Sequence, residues 1–69
     1  MDSKQITEAM RLRLPVKYNE ITYQRIIEYI LWYDDNNTRK TSLVLLDETN
    51  RSITRAPADR VELVAQEGG

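Results

Sequence analysis

Ile21-Thr22-Tyr23-Gln24-Arg25-Ile26-Ile27-Glu28-Tyr29-Ile30-Leu31-Trp32-Tyr33 decides the fold of this 69-residue chain. Two periodicities fit the stretch. At 3.6 residues per turn, Tyr23, Ile26, Ile27, Ile30 and Leu31 form one apolar stripe, with Asn19 placed to cap the helix. At a period of two, Ile21, Tyr23, Ile27, Tyr29, Leu31 and Tyr33 share a face, and only Arg25 intrudes. Nine of the thirteen residues are β-branched or aromatic, which favours extended backbone. A strand here makes the protein mainly β. A helix over 20–33 makes it α+β, with that helix lying on a three-stranded sheet.

The flanking segments read more simply. Upstream, Leu12, Leu14, Val16 and Tyr18 alternate with Arg11, Arg13, Pro15 and Lys17, which predicts a half-buried strand over 11–18. Pro15 donates no ladder hydrogen bond, so this strand is expected at an edge. Asn19-Glu20 is the turn that follows. Residues 1–10 form an N-terminal extension. Asp2 and Gln5 have capping-box spacing and Ile6 and Met10 share one helical face, so the extension is either a helix of about two turns or a frayed tail. Downstream, Asp34-Asp35-Asn36-Asn37 is a polar turn and 39–46 a strand with an apolar end. Asp47-Glu48-Thr49-Asn50 is a second turn, and Arg51-Ser52-Ile53-Thr54-Arg55 a short polar strand. Residues 56–60 suit one 3₁₀ turn, Val61-Glu62-Leu63-Val64 a final strand, and 66–69 a flexible tail.

Five strands at short spacing, polar hairpins and a 3₁₀ turn before a short last strand resemble the SH3-like small barrel. The ending Ala56-Pro57-Ala58-Asp59-Arg60-Val61-Glu62-Leu63-Val64 is similar to the close of eukaryotic SH3 domains. Tyr23-Gln24-Arg25-Ile26, Leu45-Leu46-Asp47, Asn50-Arg51-Ser52 and Ala56-Pro57 with Val61 resemble a family of small uncharacterised proteins. These are carried by conjugative, transposon-type mobile elements of Gram-positive bacteria. The likeness spans about residues 16–63 and implies a strand over 21–33. The chain is then a five-stranded barrel over 11–65, and the resemblance implies no chemistry. The first strand lacks the Ala-Leu-Tyr-Asp-Tyr run of eukaryotic SH3 domains, and Trp32 closes the second strand instead of opening the third. Proline-rich ligand binding therefore does not transfer.

Composition narrows the function classes. Cysteine and histidine are absent. That removes disulfides, zinc thiolate sites, Ser-His-Asp and Cys-His catalysis and the commonest general base. Paired carboxylates need a walled cleft, for which so short a chain has little material. No enzyme activity and no cofactor are expected. The longest apolar run, Tyr29 to Tyr33, is far below the ~20 residues that span a membrane. Residues 1–5 lack the basic-then-apolar order of a signal peptide. No membrane association and a cytoplasmic setting are the expectations.

Four constellations carry a functional alternative. Asp34-x-Asn36-x-Thr38 opens like a calcium loop, but the sixth and twelfth positions are Arg39 and Leu45 in place of Gly and Glu, so a hairpin turn is expected. Asp47 and Ser52 suit a hairpin turn in which the carboxylate accepts backbone N–H groups. Arg11, Arg13 and Lys17 would share the outer face of the first strand, a candidate nucleic-acid contact. A pI near 5.3 and a net charge of -1 fall short of the usual nucleic-acid bias. Lastly, if the odd-numbered face of 21–33 is inside, Ile26, Ile30 and Trp32 stand outside, edged by Arg39 and Lys40 across the hairpin. Three large apolar residues on one outward face are a contact surface unless the N-terminal segment or a bulge buries them. The expected role is a non-catalytic binding or adaptor module, accessory to a mobile element. Its partner-binding residues are Ile26, Ile30, Trp32, Arg39 and Lys40. It would have a protein partner and exist as a monomer or weak homodimer. The alternatives are a nucleic-acid-binding accessory domain and, third, a toxin or enzyme inhibitor.

Overall fold

Residues 21–33 are extended, with a single bend at Gln24. In the computed structural model, which describes residues 1–64, the chain is mainly β with one helix. The elements are α1 (Ser3–Leu12), β1 (Val16–Tyr18), β2 (Ile21–Tyr23), β3 (Arg25–Tyr33), β4 (Arg39–Leu46), β5 (Ile53–Pro57), a 3₁₀ turn (Ala58–Arg60) and β6 (Glu62–Leu63). They form two open three-stranded sheets, ordered β2-β1-β6 and β3-β4-β5, all antiparallel. No closed barrel is formed by the described residues. The tail expected at 66–69 lies outside them.

The bend at Gln24 splits the predicted long strand into β2 and β3 and sends each half to a different sheet. The Gln24 N–H donates to the Leu46 carbonyl at 2.7 Å, so the bend keeps its backbone partner. This makes six strands among the described residues instead of five.

The N-terminal segment is a helix, and it is part of the core. Asp2 caps it through the Gln5 N–H, and the Gln5 side chain accepts from the Asp2 N–H, closing a capping box. Ile6 and Ala9 are buried, and Met10 packs beside them. That docking carries the helix two residues past Met10, into the segment expected to be strand. Arg13 ends it in the left-handed region, at φ 55°. The Leu14 N–H donates back to the Ala9 carbonyl at 2.9 Å. The alternation of Leu12 and Leu14 is thus no strand pattern, and only Val16–Tyr18 are extended. β1 is central in its sheet, not at an edge. Pro15 precedes it, and its carbonyl accepts from the Val64 N–H at 3.4 Å.

A bulge decides which face of β3 is inside. Ile26 pairs with Leu45, whereas Glu28 pairs with Val44, so Ile27 is an extra residue in the ladder. Below the bulge the even residue Ile26 faces the core, 1% exposed. Above it the phase inverts. Tyr29 lies opposite Leu43 on the core side, and Ile30 and Trp32 lie outward, opposite Ser42 and Lys40. Ile26 is therefore a core residue and not part of a contact surface. Ile6, Val16, Tyr23, Ile26, Leu43, Leu45, Ala56, Ala58 and Val61 join the helix to both sheets in one core.

Candidate functional site

The outward face of the β3-β4-β5 sheet carries Glu28, Ile30 and Trp32 on β3, Lys40, Ser42 and Val44 on β4, and Arg55 and Pro57 on β5. Trp32 is 38% exposed, yet its indole is held. The Nε1–H donates to the Ser42 Oγ at 2.9 Å, and the Arg55 guanidinium lies 5.6 Å from the ring centroid. Ser42 and Val44 are buried although they point away from the core. In the ladder Val44 lies between Glu28 and Arg55, and Ser42 between Ile30 and Pro57.

β4 outruns β5. Their pairing begins at Ser42 opposite Pro57, so Arg39, Lys40 and Thr41 pair only with Tyr33, Trp32 and Leu31 of β3. The β3–β4 hairpin projects past the rest of the sheet as a two-stranded arm. Its apolar residues stay exposed, Leu31 at 48% and Tyr33 at 62%. The step where β5 stops is a groove of about 540 Å³. Trp32 and the start of β4 form one wall, and Pro57 with the 3₁₀ turn forms the other. Met1 closes one end, where its amino group donates to the Ala58 carbonyl at 3.1 Å.

Positive charge collects at this groove. Arg39, Lys40 and Arg60 line it, with Asp59 the one carboxylate among the described residues, and Arg55 stands over the adjoining indole. Among the described residues the single ion pair is Arg11–Glu8, at 3.7 Å on α1. The groove cations therefore have no carboxylate partner among them. The field of Lys40 also reaches Asp34 in the hairpin turn. That carboxyl is held below the usual carboxylate range by the Thr38 N–H first, then by the Asn36 N–H and Lys40. A second groove, about 480 Å³, lies across Pro57 and Arg60 and is lined by Glu20 and Glu62, so its charge is mixed.

The sequence candidates separate accordingly. Trp32, Arg39 and Lys40 meet at the groove, Ile30 shares the outward face and Ile26 is in the core. Pro57, Arg55 and Arg60 were not foreseen. Their place depends on β5 lying beside β4, which no local pattern announces. Arg11, Arg13 and Lys17 do not share a strand face. Arg11 is on α1, Arg13 caps that helix and only Lys17 is on β1.

The two polar turns are hairpin turns. The Asp34 carboxylate accepts the N–H groups of Asn36 and Thr38, both at 2.9 Å, and Asn37 takes φ 60°. The Asp47 carboxylate accepts the Thr49 N–H and hydroxyl, and the Asp47 N–H donates to the Ser52 carbonyl at 3.0 Å. Among the described residues, no three acidic side chains gather as a metal site, and no helix is long and apolar enough to cross a membrane. No family model, no curated protein and no solved structure matches the chain, and nothing in these comparisons bears on the mobile-element resemblance.

Proposed function

We propose that the chain is a non-catalytic protein-binding module that meets its partner through the outward face around Trp32. The observation that carries this reading is the held, part-exposed indole beside a groove. Trp is the residue most enriched at binding hot spots, and here its hydrogen bond and the guanidinium over it fix the ring before any partner arrives. An SH3-like relation of the two sheets belongs to the same proposal. It is supported by the orders β2-β1-β6 and β3-β4-β5 and by the 3₁₀ turn between β5 and β6. An accessory role on a mobile element rests on the sequence resemblance alone.

Selection from a random peptide library displayed on phage tests the reading. A peptide consensus should emerge that shifts the Trp32 indole N–H resonance and loses binding to a folded Trp32→Ala variant. Peptides that bind this variant as well as the wild type would overturn it.

A further inference from the structure

We infer that the groove takes an acidic, extended peptide segment, added alongside β4 at Arg39–Thr41 where β5 stops. This rests on the reading of the Trp32 face as a contact surface and names the chemistry of the partner.

Two independent observations converge on it. The first is charge. Arg39, Lys40 and Arg60 line the groove against the single carboxylate of Asp59, and none has an ion-pair partner among the described residues. The whole chain carries -1, so this positive cluster is local and not a consequence of a basic protein. A ligand bearing carboxylates is complementary to it.

The second is backbone. On the side away from β3, residues 39–41 of β4 have no strand beside them among the described residues, because β5 ends at Pro57. An extended chain placed there continues the line of β5 and takes up free ladder positions, the strand-addition mode of peptide recognition. The groove volume, about 540 Å³, suits a few residues of such a chain. Side chains alternate along it. One set points to the outward face, where Trp32 and Pro57 offer apolar surface. The carboxylates of the other set lie on the side of Arg39, and the long side chains of Lys40 on the outward face and Arg60 at the groove wall reach toward them from the flanks.

A nucleic acid is the competing occupant, because phosphates would also answer the cations. The geometry favours the peptide. The cations gather at one short step and do not track a stripe, one indole face already carries Arg55, and the open feature is a strand edge.

The probes are a fluorescent nonapeptide of alternating Glu and Leu, its Gln/Leu counterpart and oligo(dT), each titrated into the full chain at low salt. The Glu/Leu peptide should saturate, shift the sole Trp emission and slow amide exchange at residues 39–41. The Gln/Leu peptide should bind about tenfold more weakly, the worth of two or three exposed ion pairs. Lys40→Glu and Arg60→Glu, both at exposed positions, should each weaken the Glu/Leu peptide and leave the Gln/Leu peptide unchanged. Equal binding of the two peptides overturns the acidic class, and tighter binding of oligo(dT) overturns the peptide. If the Glu/Leu peptide fails while library-selected peptides still move Trp32, the acidic proposal falls and the contact face stands. If both fail, both readings fall.

Discussion

The hydrogen bond from the Trp32 indole to the Ser42 hydroxyl can be isolated by a double-mutant cycle. Trp32→Phe keeps an aromatic ring and removes the donor. Ser42→Ala removes the acceptor. The bond is 2.9 Å long and Ser42 is buried, so water replaces the lost donor poorly. A net hydrogen bond is worth about 1 kcal/mol, and leaving a buried polar group unpartnered costs about 1–3 kcal/mol. Trp32→Phe should therefore lower stability by roughly 1–2 kcal/mol, including the weaker attraction of Phe for Arg55. Ser42→Ala should cost less, about 0.5–1 kcal/mol, because the part-exposed indole N–H finds water. The double variant should fall short of the sum by about 1 kcal/mol. For a domain this small, 1 kcal/mol moves the melting midpoint by roughly 4–8 °C, well within reach of measurement. Urea unfolding followed by far-UV circular dichroism gives all four corners of the cycle. A coupling below about 0.3 kcal/mol, the level of ordinary additivity error, would refute a fixed indole and with it the preformed contact surface.

Three further outcomes follow from the fold. Ile26→Ala opens a cavity in the core and should cost about 2–5 kcal/mol, so thermal denaturation should show a largely unfolded or strongly destabilised chain; a near-normal melt would put Ile26 back on the surface. Asp47→Ala should lower the melting midpoint at neutral pH. The Asp47 carboxyl is held below the usual carboxylate range, by the Thr49 hydroxyl first and the Thr49 N–H next. A lowered folded-state pKa gives stability that is present above the unfolded value, near 4, and lost as pH falls through the folded one. Wild type and variant should therefore converge on acidification, and a constant gap down to pH ~2 would show the carboxylate is not the cause. Glu20→Gly should raise the melting midpoint by a few degrees. Asn19 and Glu20 hold φ of 54° and 65° in a two-residue hairpin, a geometry that favours Asn-Gly. A lower midpoint would contradict that turn geometry.

What the sequence displayed was local. The capping box at Asp2 and Gln5, the turn at Asn19-Glu20 and the carboxylate-centred turns at Asp34 and Asp47 each need only neighbours a few residues away. The strand character of 21–33 was carried by its β-branched and aromatic content, since its apolar spacing served a helix equally. Two features hid from the pattern. An extra residue in a ladder leaves no mark on composition, so a bulge could be named as an alternative but not placed at Ile27, where it moves Ile26 from the outward face to the core. The helix ran on through Leu12 because Ile6 and Ala9 found a sheet to dock on, a tertiary gain that overrode the alternation of Leu12 and Leu14. Trp32, Arg39 and Lys40 could be grouped from hairpin register alone. Arg55, Pro57 and Arg60 join them only through the packing of β5 on β4, across more than a dozen residues of chain.

Differential quenching of the sole tryptophan by iodide and caesium tests the central claim most directly, that Trp32 is part-exposed within a positively charged contact surface. Both ions reach an exposed indole, but cations around it concentrate iodide and repel caesium. With Arg55 over the ring and Arg39, Lys40 and Arg60 along the groove, iodide should quench severalfold more strongly than caesium at low ionic strength. The preference, corrected against free N-acetyltryptophanamide, should shrink as salt is added. Equal quenching by the two ions, or no quenching by either, would contradict the account.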